Sequence, residues 1–187
     1  MRRLPVYLLL DVSGSMRGEP IISMKTGVQV LLSCLKRNQS AKETVFVSII
    51  TFGDHASEAV PLTSVQDLAV PDFEPHGCTM LGEALELLAR SIEEDVVMPS
   101  AAEKGDWKPI VFIVTDGEPC DDVRHGLDDL KRGCVDTIVA CAAGQDTSLD
   151  PLRSLTENVI RLDTAGSHTF ESYLRWNDIS DDKPEKS

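Results

Sequence analysis

Two short runs, 6–10 and 109–115, are apolar at almost every position rather than at alternate ones. A strand covered on both faces reads this way; a strand with one wet face alternates. Each run stops at an aspartate, Asp11 after the first and Asp116 after the second. Around them, further short runs alternate with stretches whose apolar residues recur at helical spacing. Ile22, Thr26, Val28, Val30, Leu31, Leu32 and Leu35 form one broad face behind Pro20, which suits the first turn of a helix. Leu81, Ala84, Leu85, Leu88 and Ile92 form a second, with Thr79 as its expected N-cap. Residues 44–52 are β-branched and aromatic, hence a strand. Residues 58–62 follow after only Gly53-Asp54-His55, a link short enough to make the pair an antiparallel hairpin at a sheet edge. Residues 63–78 and 98–107 read as loops, 121–132, 149–155 and 167–176 as helices, and 135–141 and 159–162 as strands.

This order predicts an α/β fold: a doubly wound, mostly parallel, Rossmann-like sheet with one antiparallel edge strand and helices on both faces. In such sheets ligands bind beyond the carboxyl ends of the strands, where strand order reverses. Asp11 and Asp116 fall at such ends, so the site is expected there. A chain of 187 residues suits one core. We expect a single domain over 1–178 and a frayed, charged tail over 179–187.

Charge narrows the partners. With 18 Lys+Arg against 31 Asp+Glu the formal net charge is −13, which argues against a nucleic-acid backbone or an anionic membrane surface. No segment approaches the roughly 18 apolar residues of a membrane span, and the apolar run after Arg2-Arg3 is too short for a signal peptide. The 5 cysteines are odd in number and lack C-x-x-C spacing, which points to a reduced, cytoplasmic protein rather than a disulfide framework.

Asp11-Val12-Ser13-Gly14-Ser15 directly follows the first buried run. Gly14 makes the loop tight, and the alternating oxygen side chains then aim at one point. Thr79 before a helix and Asp116 at another strand end supply further oxygens. Asp11, Ser13, Ser15, Thr79 and Asp116 together offer hard donors without imidazole or thiolate, a set suited to Mg2+, with Mn2+ or Ca2+ as alternatives. Such an ion keeps a position open for an Asp or Glu of a protein partner.

Other groups read more plainly. Cys78 and Cys120 should both lie on the same end of the sheet as Asp11. With His76 nearby they could form a redox pair or a soft-metal site, but the expected reading is two unrelated loop cysteines. Cys34, Cys134 and Cys141 are expected in the core, and His55, His125 and His168 on the surface. Asp121, Asp122, Asp128 and Asp129 read as a solvated helix face, and Glu118 as a loop acid. Trp107 is either a partner anchor or packing beneath its loop. Catalysis is not expected. A haloacid-dehalogenase-type aspartate nucleophile needs a second Asp two residues on, where Ser13 stands. Neither a G-x-S-x-G elbow nor a Walker A or G-x-G-x-x-G loop occurs.

Asp11-x-Ser13-x-Ser15, Thr79 and Thr115-Asp116-Gly117 resemble the metal-ion-dependent adhesion site of von Willebrand factor type A domains, at all five ligand positions. That resemblance implies direct ligation by Ser13, Ser15 and Thr79, with Asp11 and Asp116 acting directly or through water. Residues 2–21, 104–112 and 115–119 resemble the TerY family of tellurite-resistance proteins. Cys120 stands where a hydroxyl residue is expected in that family. The implied role is a metal-dependent interaction module of a bacterial tellurite- and stress-resistance system, beside a protein kinase or PP2C-type phosphatase. The alternatives are an Mg2+-dependent phosphoester hydrolase and a structural scaffold with an idle metal site.

Overall fold

The structure, a computed structural model, describes residues 1–132, 135–163 and 165–175. Strands β1 (Leu4–Asp11), β2 (Val45–Phe52), β3 (Ala56–Ser64), β4 (Ile110–Thr115), β5 (Thr137–Ala142) and β6 (Asn158–Arg161) form one sheet in the order β3-β2-β1-β4-β5-β6. Every pairing is parallel except β2 with β3. The expected hairpin is therefore present, and its β3 strand is an edge. Its register shifts around Ile49, and Pro61 lies within it.

Helices α1 (Glu19–Arg37), α2 (Gln39–Thr44), α3 (Leu81–Asp95), α4 (Arg124–Lys131), α5 (Asp150–Arg153) and α6 (Ser167–Arg175) complete the chain order. The strand pleat divides the core between them. Val6, Leu8, Leu10, Ile110, Phe112 and Val114 pack with Met24, Val28 and Leu31 of α1 and Phe170 of α6. Tyr7, Leu9, Val111 and Ile113 face the other way, onto Leu85 and Leu88 of α3, Leu127 of α4 and Leu152 of α5. This is why the first and fourth strands contain no polar alternation. Each such side chain contributes about 1.5–3 kcal/mol by leaving water.

Several expectations are corrected. In α1 the buried stripe runs through Ile21, Met24, Val28, Leu31, Leu32 and Leu35, whereas Ile22 faces solvent and is 63% exposed. A short helix, α2, precedes β2; the Asn38 side chain accepts the Ala41 N–H at 3.0 Å and caps it. Helix α4 begins at Arg124 rather than at 121. Trp107 packs against the core, and the Arg2 guanidinium lies 3.6 Å from its ring centroid, so packing rather than anchoring describes it. Cys134, Trp176 and the 179–187 tail lie outside the described residues. Among the described residues no helix is long and apolar enough to cross a membrane.

Candidate metal centre

β1 and β4 are neighbours, with Leu10 beside Val114, so Asp11 and Thr115-Asp116 leave the sheet side by side. Asp11 is fully buried. Its Oδ1 accepts the Ser13 N–H at 2.8 Å, and its Oδ2 accepts the Thr115 hydroxyl at 2.6 Å. Ser13 Oγ lies 3.0 Å from Ser15 Oγ, which in turn donates to Asp116 Oδ1 at 2.8 Å. Four of the five expected side chains are thus joined across two loops. Ser13 is buried, Asp116 half-buried and Ser15 exposed, so the site has a dry floor and a wet rim.

Thr79 reaches the same place through its backbone. The Gly14 N–H donates to Gly77 O at 2.9 Å, and the Cys120 N–H donates to Thr79 O at 2.9 Å. The Thr79 N–H donates to Cys120 Sγ at 3.2 Å. The segment 77–79 therefore bridges the Ser13-Gly14-Ser15 turn and the loop after Asp116. Asp54 fixes it from outside, its Oδ1 accepting the Cys78 N–H at 2.9 Å. Gly77 has φ +78°, and a Cβ there would fall into the Asp54 carboxylate. Only glycine fits both demands.

Thr79 is not the cap of α3. That helix starts at Leu81, and its preceding residue, Met80, makes no side-chain cap bond. The cap comes from across the site: the Asp121 carboxylate accepts the Gly82 and Glu83 N–H groups, each at 2.8 Å. A negative group at a helix N-terminus also complements the macrodipole. Asp121 is therefore no part of a solvated face, whereas Asp122 pairs with Arg124 at 2.6 Å and Asp129 with Arg132 at 3.3 Å. Replacing Asp121 by Ala should cost about 1 kcal/mol, the usual loss for a helix cap. In a chain of this size that is a drop of roughly 2–4 °C in melting temperature. Amide exchange at Gly82 and Glu83 should accelerate with it; unchanged exchange there would show that the cap carries no energy.

The electrostatics single out one residue. Burial pushes the Asp11 carboxyl above its ordinary pKa; hydrogen bonds from Ser13 and Thr115 oppose the shift, and the nearby charge of Asp116 adds to it. Among the described residues no Lys, Arg or His pairs with Asp11 or Asp116. Buried charges are ordinarily paired or bound to a metal. Two carboxylates and the hydroxyls of Ser13 and Ser15 make an oxygen-only donor set, which fits a hard divalent cation. Among the described residues no three His, Cys, Asp or Glu side chains gather around a common point, so a thiolate or imidazole site finds no support.

Cys78 and Cys120 are not unrelated. Both are exposed, and the Cys78 thiol, hydrogen-bonded to Cys120, is held above the ordinary thiol pKa by that bond. His76 takes no part in the pair; its Nδ1 lies 2.9 Å from Glu74 O. Cys141 is buried, as expected. Asp54 and Asp121 are the positioning residues that sequence reading missed. Asp54 looked like one turn residue among several, and nothing in the order of residues says which helix Asp121 meets.

Residues 6–172 match the von Willebrand factor type A domain, and the chain belongs to that family. A curated relative, the uncharacterized protein sll0103 of Synechocystis sp. (strain ATCC 27184 / PCC 6803 / Kazusa), is 31% identical over 143 residues; the match covers 72% of this chain and 30% of that protein. The chain thus spans less than a third of that relative's length. Among solved structures, proximal thread matrix protein 1 from the mussel byssus superposes with a TM-score of 0.63 at 20% identity, covering 94% of this chain and 47% of that one. A second structure of it, with a zinc-occupied MIDAS motif, gives 0.60 at 22% identity, with 94% and 47% covered. The SpRpn10 VWA domain gives 0.57 at 12% identity, with 91% and 95% covered. At these identities the structural likeness shows the fold.

Proposed function

We propose that this chain is a metal-dependent protein-recognition module, not an enzyme, in which Asp11, Ser13, Ser15, Thr79 and Asp116 hold one Mg2+. The observation that carries this reading is the run of oxygens from Ser13 through Ser15 to Asp116, beside a buried Asp11 that no cation among the described residues partners. The zinc-occupied motif of the mussel protein supports a divalent ion at this place in the fold. Mn2+ or Ca2+ would suit the same oxygens. The ion supplies a positive point to which an Asp or Glu of a protein partner binds. The acidic balance of the chain, −13 overall, leaves such a point as the local attraction for a carboxylate. Resemblance to the TerY family supports a cytoplasmic role in a bacterial tellurite- and stress-resistance system, with a protein kinase or PP2C-type phosphatase as the partner.

The test is a metal titration with and without these candidate partners. Mg2+ should raise the melting temperature, EDTA should reverse the rise, and partner retention should follow the metal. Equal retention in EDTA and in Mg2+ would exclude metal-dependent recognition. Turnover of a phosphoester panel that disappears in the Asp11→Asn variant would overturn the non-enzymatic reading.

A further inference from the structure

We propose that Cys78 and Cys120 form a peroxide-oxidisable thiol pair whose disulfide ties the loop before α3 to the loop after β4. The two thiols are free and exposed. Thr79, the residue after Cys78, is already joined to Cys120, whose N–H donates to Thr79 O at 2.9 Å and whose Sγ accepts the Thr79 N–H at 3.2 Å. Cys78 Cα is about 2.4 Å from Thr79 N by covalent geometry, which leaves it no more than about 5.6 Å from the Cys120 sulfur. Closing the sulfurs to about 2.05 Å is then asked of two exposed side chains, on loops already bonded to each other. A soft-metal role for the same pair lacks a third ligand among the described residues.

The oxidant is hydrogen peroxide. One thiolate attacks the peroxide, the O–O bond breaks, and a sulfenic acid forms as hydroxide leaves and takes up a proton. The second thiol attacks the sulfenic sulfur; the S–S bond forms, the S–O bond breaks, and its proton leaves with the hydroxyl as water. Two thiols and one peroxide thereby give one disulfide and two waters, and a dithiol reductant returns both thiols by exchange. Cys141 contrasts with the pair, since it is buried away from solvent and from peroxide. The link encloses residues 79–119, which carry both Thr79 and Asp116. Its effect on ion binding rests on the reading above; the bond itself does not.

The reduced full chain is treated with hydrogen peroxide in EDTA, then followed by intact mass, non-reducing peptide mapping and thermal melting. The expected result is a loss of two hydrogens, a peptide joining Cys78 to Cys120, and a higher melting temperature, all reversed by dithiothreitol. Cys78→Ser and Cys120→Ser should each prevent the loss, and Cys34→Ser should not. Oxygen adducts without the cross-link, a cross-link between other cysteines or between chains, or no reaction would each overturn the proposal. So would a cross-linked chain that melts no higher, because the bond would then form only by distorting the loops. EDTA keeps the outcome independent of metal, so failure of the metal reading leaves this test intact.

Discussion

Replacing Asp11 by Asn should remove the whole Mg2+-induced rise in melting temperature while leaving the metal-free chain no less stable than before. The two halves have one cause. Asp11 is buried, and its hydrogen-bond partners among the described residues are neutral, the Ser13 N–H and the Thr115 hydroxyl, so its charge is a cost until a cation arrives. Asn has nearly the same shape and can still accept the Ser13 N–H. With metal at about 100 times its Kd, the intact chain should gain about 2.7 kcal/mol, or roughly 5–10 °C for a domain of this length. The variant should gain nothing. The pH dependence has a definite sign. The folded chain holds the Asp11 proton more tightly than the unfolded chain does. In EDTA, ionisation of Asp11 therefore removes stability as pH rises from the ordinary Asp range through the raised folded pKa, and the deficit persists at neutral pH. Metal competes with that proton, so the Mg2+ effect should fade on acidification before the ordinary Asp range is reached. Melting curves for both proteins from acid to neutral pH, with and without Mg2+, check each part. A variant that still responds to metal would remove Asp11 from the site.

Replacing Phe112 by Ala should give the complementary result: a large loss of stability with the metal response kept. Phe112 is 1% exposed in β4. Its ring meets Phe170 edge-on at 5.9 Å and Tyr173 at 6.5 Å. It therefore joins the middle of the sheet to α6, and truncation leaves a cavity that neither partner can fill. The expected cost is about 3–5 kcal/mol, or roughly 6–20 °C. The Mg2+ increment should survive, because Phe112 faces α1 and α6 rather than the strand ends. Denaturant melts of the two variants, each with and without metal, separate the two effects. A loss below about 1 kcal/mol would mean that α6 contributes little to holding this face.

The sheet and the site differed in how far they could be read from sequence. Two-faced burial leaves its mark on adjacent residues, so β1 and β4 were visible as unbroken apolar runs, and the short link at 53–55 gave the hairpin. Asp11, Ser13 and Ser15 share a turn, and Asp116 ends a strand already assigned. Thr79 was picked out as a ligand, but its second expected role, capping α3, was wrong: a helix cap is a local signal, and here it is overridden by Asp121 reaching in from another loop. Cys78 and Cys120 were placed at the same end of the sheet but expected to be unrelated for the same reason, since loops with no periodic pattern meet only once the strands beneath them are ordered. Ile22 shows a subtler limit. Helical spacing gives the width of an apolar stripe more readily than its centre, and one residue of rotation moved Ile22 from the core to water.

The two margins of the sheet have a consequence for how copies of this molecule meet. At β3 the backbone donors are interrupted by Pro61 and the register shifts beside it, while β6 offers only 4 residues. Neither margin presents a long, even row of amide groups on which a neighbour's strand could grow. Crowding at high concentration should therefore not propagate into cross-β fibres from the folded form. Whatever this domain joins, it should join by side chains.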